Sequence, residues 1–469
     1  MPGMTCVGRA RLGRKVVDMI ASTAAVLVIG SLCGAVRVDS AAAGPAGAAA
    51  ASSVDPATRE LRRRNDELVK QGFNITSGVT LGGAEPARIE LLIAPDDSKH
   101  TVALWLEVEH GDASLRWLGP GGEVVTDWRG RRLEQRGMRA LAPGKHVIEI
   151  RAGGGRVHGL VGVKGAVIQR CAIDATRVTE QPADPARGFA WPYVLVAPKA
   201  RPPGATTLLV VPPNTGFATE DLELLRASTS CAVNWQLALA DRLGTVILAP
   251  MFPRPVAPPP VHNLYLHALS RSSLETSDAR VARVDRQLIA MLDDARQRLE
   301  AQGHRVPPRV LITGFSASGS FANRFAVLHP DRVLAAAVGS PGGWPLAPVA
   351  STRGQTLPYP VGIADVDALT GAPIDLAALR RVHFLFLLGD ADTNDAVPYR
   401  DAYSAASEVL VMRLFGKTPV ARWDAARKLY DAAGLDAQFR LYHGVGHEMS
   451  PAMNADVEAM FRAALRAPT

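Results

Sequence analysis

Short apolar runs alternate with helical patterns over the C-terminal part of the chain, from about Ala190 onward. Near-continuous apolar strands separated by helices are typical of a mostly parallel sheet covered on both faces, because parallel strands need crossover connections. The pattern therefore predicts an α/β fold for residues 171–469. The predicted strands lie at 192–197, 206–211, 244–249, 309–313, 333–338, 383–388 and 438–442, and the longer helical patterns at 221–243, 278–302 and 420–433.

A serine stands where one of these strands turns directly into a helix. The sequence GFSASG at 314–319 follows the strand at 309–313, and apolar residues at helical spacing continue to Pro330. A nucleophile elbow requires this context, a sharp strand-to-helix turn in which small flanking residues let the backbones pass closely. The motif predicts Ser316 as a catalytic nucleophile. A turn that only joins a strand to a helix is the alternative.

Ser318 is a second candidate nucleophile in the same stretch. It occupies the position, two residues after Ser316, where the elbow motif usually has its second glycine. Ser316 is favoured because Gly314, two residues before it, ends the strand.

Candidate partners for the serine follow two later strands. A serine hydroxyl becomes a good nucleophile when a histidine takes its proton, and a carboxylate must hold that histidine in the right tautomer. Asp392 and Asp395 both follow the strand at 383–388, and His447 lies in the glycine-rich loop after the strand at 438–442. We predict Asp392 as the acid, with Asp395 as the alternative, and His447 as the base.

His443 and His447 have the spacing of a helical zinc pair. Glycines at 444 and 446 argue against a shared helical face, and the cysteines have no metal-ligand spacing. The sequence therefore predicts neither a metal nor a cofactor.

Two N–H donors are needed for the negative charge that develops on a substrate carbonyl oxygen during acyl transfer. Ala317, the residue after the nucleophile, is predicted to supply one. Thr215 or Gly216 is predicted to supply the other, because PPNTG at 212–216 follows the apolar strand at 206–211. An ordinary turn is the alternative interpretation of this loop.

Taken together, these residues resemble a known family. The chain from about Ala190 to its end resembles the α/β-hydrolases, and it is similar to the secreted esterases related to polyhydroxyalkanoate depolymerases. The resemblance implies an α/β-hydrolase fold with Ser316 as nucleophile, Asp392 as acid, His447 as base and Ala317 as oxyanion donor. The chain departs from the family where Ser318 replaces a glycine and PPNTG replaces the usual His-Gly oxyanion segment. The matching segments are VLITGFSA at 310–317, FANRF at 321–325, HPDR at 329–332, the run 389–398 and GHE at 446–448.

Residues 73–170 have a different pattern, short alternating strands separated by turns. They predict a small all-β sandwich domain ahead of the hydrolase fold, and they resemble the jelly-roll accessory domains of secreted hydrolases. Three tryptophans, Trp105, Trp117 and Trp128, are either core residues or a binding surface. Residues 44–72 are predicted to be a linker and a charged helix. The predicted strands lie at 87–93, 102–109, 114–118, 124–128 and 146–152.

The N-terminus has the features of a secretory signal. Basic residues precede an apolar stretch at 19–36, and AAA at 41–43 offers a cleavage site, so residues 1–43 are predicted to be a signal peptide. The mature protein would be secreted or periplasmic, whereas an uncleaved segment would tether it to a membrane. Cys171 and Cys231 remain after cleavage and form either one disulfide or two buried thiols.

The net charge is +7 and the pI is about 9.4. No basic run with interleaved aromatic residues appears, so no nucleic-acid partner is predicted.

The sequence thus predicts an exported serine hydrolase that cleaves carboxylic esters, of small molecules or of polyesters, through an acyl-serine intermediate. Stretches 251–274 and 341–379 are predicted either to cap the serine with an apolar acyl pocket or to be surface loops. A secreted serine peptidase or amidase, or an inert cell-surface binding protein on the same fold, is the alternative. The substrate's identity and the oligomeric state are not specified.

Overall fold

The computed structural model describes residues 56–71, 73, 75–82, 85–95, 99–200, 206–216, 218–255, 264–400 and 402–467. The predicted signal peptide at 1–43 and the predicted linker up to Asp55 lie outside these residues. In the described ranges, no helix has both the length and the apolar character needed to cross a membrane.

The N-terminal part consists of one helix followed by short strands. These are α1 (Pro56–Lys70), β1 (Ile75–Leu81), β2 (Ala87–Ile93), β3 (His100–Val108), β4 (Ala113–Leu118), β5 (Val124–Gly130), β6 (Arg132–Arg139), β7 (Gly144–Ala152), β8 (Val157–Lys164) and β9 (Val167–Arg170). The strands form two antiparallel sheets, with the orders β1-β8-β3-β6 and β5-β4-β7-β2-β9. Side chains from both sheets, such as Val161 and Trp117, pack in one apolar cluster between them.

Helix α1 covers the outer face of the first sheet. Its Leu61 and Leu68 pack with Trp105 of β3 and Leu160 of β8. Strands β3 and β8 are therefore buried on both faces. Trp105 lies under the helix and Trp117 lies in the core between the sheets, so neither contributes to an exposed surface.

The sequence pattern does not predict β1, β6, β8 and β9. Strand β6 is a sheet edge that reads RLEQRGMR and buries only Leu133, so it lacks an apolar stripe. Strand β8 reads VHGLVGVK and is buried on nearly every side chain, which removes the period of two that marks a half-buried strand.

The C-terminal part alternates strands and helices. Its strands are β10 (Val178–Gln181), β11 (Tyr193–Val196), β12 (Leu208–Val210), β13 (Val246–Pro250), β14 (Val310–Phe315), β15 (Val333–Gly339), β16 (Ser351–Thr352), β17 (Gln355–Thr356), β18 (His383–Gly389) and β19 (Ala437–Tyr442). Its helices are α2 (Leu222–Leu243), α3 (Arg271–Glu275), α4 (Val284–Ala301), α5 (Ala317–Leu328), α6 (Val366–Thr370), α7 (Leu376–Leu379), α8 (Ala396–Tyr399), α9 (Ala405–Phe415), α10 (Pro419–Ala432) and α11 (Pro451–Arg466).

One sheet organises this part, with the strand order β10-β11-β13-β12-β14-β15-β18-β19. The strands from β13 to β19 in that order pair in parallel, whereas β11 is antiparallel to both of its neighbours. The prediction of an α/β fold with a mostly parallel sheet is confirmed. Parallel strands end at the same edge of a sheet, so the loops after β12, β14, β18 and β19 meet there.

The two parts are joined where strand β9 packs against the first turns of helix α2. Cys171 and Cys231 form a disulfide across this junction. Arg170 pairs with Glu223 at 2.9 Å, and Ile168 packs against the apolar side of α2. The disulfide decides between the two interpretations of the cysteines.

Candidate active site

Ser316 lies on the sharp turn between β14 and α5. Its φ of 62° and ψ of −125° fall outside the regions that non-glycine residues normally occupy, so the turn is strained. The Ser316 N–H donates to the Gly339 carbonyl at 2.9 Å, which anchors the turn to strand β15. Its side chain does not cap α5 and makes no hydrogen bond with any residue that the structure describes. The hydroxyl at the end of the turn is therefore free to react.

Ser318 closes the same turn. Its hydroxyl donates to the Phe315 carbonyl at 2.8 Å and accepts from the Phe315 N–H at 3.0 Å. The close backbone approach falls one residue later, at Gly319, where a Cβ atom would lie 2.4 Å from the Gly339 carbonyl oxygen. The glycine usual at the second position after the nucleophile is therefore displaced to the third, and the Ser318 side chain is used to hold the turn.

Asp392 and His447 meet at the ends of the neighbouring strands β18 and β19. His447 Nδ1 donates to Asp392 Oδ2 at 2.8 Å, and the Asp392 side chain is fully buried. The two loops touch through their backbones, since the Ala391 N–H donates to the Val445 carbonyl at 3.0 Å. Gly389 allows this contact, because a Cβ there would lie 2.0 Å from the Val445 oxygen.

The His447 ring lies beside the elbow. It packs against the ring of Phe315, the residue before Ser316, with 4.6 Å between the ring centroids. Because Nδ1 carries the hydrogen bonded to Asp392, Nε2 is left with its lone pair. Asn394 Nδ2 donates to this Nε2 at 3.0 Å. The structure thus brings Ser316, Asp392 and His447 to one edge of the sheet, with Asn394 on the base.

Asp395, the alternative acid, points elsewhere. Its carboxylate pairs with Arg422 at 2.8 Å, in a contact that is almost completely buried, and caps α8 by accepting from the Val397 N–H. His443 is exposed and bonds to Asp390 at 2.8 Å. Neither Asp395 nor His443 contacts His447.

The loop at 212–216 reaches the start of α5. Asn214 Oδ1 accepts from the Ser318 N–H at 3.4 Å and from the Thr215 N–H at 2.9 Å. The N–H of Ala317 belongs to the first turn of α5, where no intrahelical acceptor exists. Thr215 and Gly216 are the two candidates for the second oxyanion donor. The Thr215 N–H already donates to Asn214, whereas the Gly216 N–H has no partner in the described part of the chain.

An apolar wall stands next to these donors. Tyr265, Ala268 and Ala402 pack with Ala317 in one cluster, and the Tyr265 hydroxyl bonds to the Thr215 hydroxyl. Arg254 stacks over the Tyr265 ring at 5.3 Å. The segment around Tyr265 and Ala268, within the stretch 251–274, therefore reaches the elbow.

His267 supports this wall from behind. Its Nε2 donates to the Phe252 carbonyl at 3.0 Å. Burial lowers the pKa of His267 to about 4, because the charged ring would lose its hydration. His267 is therefore neutral at physiological pH.

The stretch 341–379 packs against the residues that follow this wall in the chain, Leu269 and Arg271. The Tyr359 hydroxyl donates to the Leu269 carbonyl, and Arg271 pairs with Asp365 at 2.5 Å. Tyr359 and Trp344 are both buried. The described residues of the two stretches thus pack against each other.

Asn214 and Asn394 are the site residues that sequence reasoning does not identify. An asparagine in a loop is usually a turn residue, so neither position carries a signal of its own. Among the residues that the structure describes, no group of three or more His, Cys, Asp or Glu side chains is arranged to hold a metal ion.

No protein-family model and no curated protein matches this chain. Among solved structures, it is similar to poly(aspartic acid) hydrolase-1 from Sphingomonas sp. KT-1, with 20% identity, a TM-score of 0.41, and 61% of this chain and 97% of that chain covered. It is also similar to an S-formylglutathione hydrolase from Agrobacterium tumefaciens, with 13% identity, a TM-score of 0.34, and 61% and 93% covered. A thermostable esterase is similar over 84% of this chain and 96% of its own, with 12% identity and a TM-score of 0.35. These similarities do not identify the reaction of this chain, so the site geometry is the basis for the function proposed below.

Proposed function

We propose that this chain is a serine hydrolase of the α/β-hydrolase fold that cleaves carboxylic esters through an acyl-Ser316 intermediate. One observation carries the proposal: Ser316 sits on a strained turn next to Phe315, whose ring packs on His447, and Nδ1 of His447 bonds to the buried Asp392. The three residues occur in the order Ser, Asp, His on loops after β14, β18 and β19, which is the order in α/β-hydrolases.

In the first half of the reaction, His447 Nε2 accepts the Ser316 hydroxyl proton while Oγ bonds to the ester carbonyl carbon. Asp392 stays ionised, holds the Nδ1–H tautomer and stabilises the imidazolium. The carbonyl oxygen becomes an oxyanion, which the N–H groups of Ala317 and Gly216 bind. The carbon–oxygen bond to the leaving group then breaks, and Nε2 returns its proton to the departing alcohol.

In the second half, a water molecule takes the place of the alcohol. His447 Nε2 accepts a proton from this water as its oxygen bonds to the acyl carbon. The bond to Ser316 Oγ breaks, the serine regains its proton, and the carboxylic acid leaves. No atom outside the ester, the water and these side chains is required.

The apolar wall of Tyr265, Ala268 and Ala402 favours an ester with an apolar acyl group. These buried side chains pack on Ala317, the proposed oxyanion donor, and would lie close to the acyl chain of an ester bound there. Polyesters, including polyhydroxyalkanoates, are esters that the same reaction would cleave, and we infer that they are one candidate class of substrate.

Purified Ser316→Ala and wild type, assayed with nitrophenyl butyrate and probed with a fluorophosphonate, test the proposal. Wild type should hydrolyse the ester and be labelled, whereas Ser316→Ala should be unlabelled and lose at least about 10³-fold in kcat. A variant that still cleaves at the wild-type rate contradicts the proposal. Wild type that cleaves the matching anilide as fast as the ester would instead indicate an amidase.

We further propose that residues 73–170 form an accessory β-sandwich domain of an exported enzyme. The shared core of the two sheets supports a folded unit, and the Cys171–Cys231 disulfide supports an oxidising compartment. Expression of the full chain in a bacterium, with fractionation and N-terminal sequencing, tests export. Protein that stays in the cytoplasm with Met1 intact would refute it.

A further inference from the structure

One residue contacts both the acid and the base of the candidate site. The backbone N–H of Asn394 donates to Asp392 Oδ1 at 2.9 Å, and its side-chain Nδ2 donates to His447 Nε2 at 3.0 Å. The other hydrogen bond of this set joins Asp392 Oδ2 to His447 Nδ1 at 2.8 Å. Asn394 thus spans the pair on which the proposed reaction depends.

The contact with Nε2 uses the atom that Ser316 needs. A neutral imidazole whose Nδ1 carries the hydrogen has a single lone pair in the ring plane, on Nε2, and accepts one strong hydrogen bond there. Asn394 has that bond in this structure, and Ser316 Oγ makes none with the residues described. The two groups therefore compete for one acceptor.

We propose that Asn394 is a positioning residue that caps the base of the resting enzyme, an inference that rests on the proposed function. Its amide holds the His447 ring in the tautomer that the reaction requires, since only a bare Nε2 accepts a donor. The same amide N–H opposes a proton on Nε2, because two donors would then face each other. Binding of the ester lets the Ser316 hydroxyl replace the amide, and proton transfer follows.

The three carboxylates on the loop that carries Asn394 are already paired, which isolates the effect of Asn394. Asp392 is the carboxylate in contact with the ring. Asp390 bonds to His443 and to the Gly444 N–H, and Asp395 pairs with Arg422. On the other side the ring meets the uncharged Phe315. A change at 394 alters the hydrogen bonding of Nε2 without breaking one of these ion pairs.

The test compares Asn394→Leu, Asn394→Asp and the matched control Thr393→Ala, an exposed neighbour in the same loop. Leucine has a similar size and no donor, so the neutral ring loses a hydrogen bond. The acid limb of the pH profile of kcat/KM should then move to higher pH by about half to one unit. In Asn394→Asp, the carboxylate favours the protonated ring, so the acid limb of this variant should move further to higher pH. Thr393→Ala should keep the wild-type limb.

The rate of fluorophosphonate labelling supplies a second measurement. At a pH above the acid limb, Asn394→Leu should be labelled roughly two- to tenfold faster than wild type, because Ser316 no longer competes for Nε2. A purely structural residue would not move the acid limb or accelerate labelling. If leucine prevents folding, the nearly isosteric Asn394→Asp carries the test through its pH profile.

The proposal that Asn394 caps His447 would be overturned if the acid limb did not move in either Asn394→Leu or Asn394→Asp. It would also be overturned if Asn394→Leu were labelled more slowly than wild type at high pH. The control for the underlying proposal is separate. If wild type is labelled and Ser316→Ala is not, Ser316 is the reactive serine. A negative result with the Asn394 variants then contradicts only the role proposed for Asn394. Wild type that is not labelled would defeat the proposed function itself.

Discussion

The loop after β18 holds two buried aspartates with different partners. Asp392 accepts a hydrogen bond from His447, whereas Asp395 pairs with Arg422. Both carboxylates are buried. A histidine exchanges a proton near neutral pH, and a guanidinium stays charged at any pH that a protein encounters. The partner, and not the residue type or the loop, therefore separates a carboxylate suited to catalysis from one that stabilises the fold.

Replacement of Asp392 is expected to have the largest effect on activity. Asp392→Asn keeps the size of the side chain but no longer enforces the Nδ1–H tautomer, so kcat should fall by roughly 10⁴-fold. The melting temperature should change little in comparison. Steady-state kinetics with a nitrophenyl ester and a thermal melt measure both. A variant with wild-type kcat would remove Asp392 from the proposed reaction.

Asp395→Asn should show the reverse behaviour. The change leaves the buried Arg422 guanidinium without its countercharge, and such a break costs about 3–5 kcal/mol of unfolding free energy. At a temperature where the variant is folded, kcat should stay within tenfold of wild type. Asp424→Asn, in an exposed pair on α10, is the control and should hardly shift the urea midpoint. Loss of activity in folded Asp395→Asn alone would exchange the roles of the two aspartates.

His267 extends the comparison to a buried group that contacts a carbonyl oxygen instead of a charged partner. Its folded pKa of about 4 lies below the ordinary 6.5, so the unfolded chain binds the proton first as the pH falls. The free energy of unfolding should be unaffected above about pH 6.5 and should decrease by about 2–3 kcal/mol on going to pH 4.5. Urea titrations at pH 7.5 and 4.5 measure this. His267→Gln, which cannot take up the proton, should lose less stability between these pH values, and an equal loss would contradict the assignment.

The two serines of the elbow repeat the contrast on a smaller scale. Ser318→Ala removes the hydroxyl that bonds both the N–H and the carbonyl of Phe315, which should lower the unfolding free energy by about 1–2 kcal/mol. Activity should stay within about fivefold of wild type. Fluorophosphonate labelling of Ser318→Ala, beside the unlabelled Ser316→Ala, checks this. A folded Ser318→Ala that is not labelled, together with a Ser316→Ala that is, would make Ser318 the nucleophile.

Much of the α/β part could be predicted because its signals are local. The apolar runs that became β14, β15 and β18 are bounded by turn residues, and the serine motif stands between a strand and a helix in the sequence itself. Strands β6 and β8 lack such signals. One is an exposed edge and the other is buried on both faces by helix α1, so neither shows a clean period of two.

The sequence alone determined the strand-to-helix turn at Ser316 and the order in which Ser316, Asp392 and His447 follow their strands, because each depends on neighbours in the chain. Only the tertiary structure decided that Asp392 bonds to His447 while Asp395 bonds to Arg422, and that Asn394 lies on the base. The contacts of Asp392 and Asn394 with His447 join two loops that are distant in sequence, and they arise because β18 and β19 run parallel and end at one edge of the sheet. The Asp395–Arg422 pair instead joins the loop after β18 to helix α10. The position of a side chain among such loops is a property of the folded sheet, which no stretch of sequence contains.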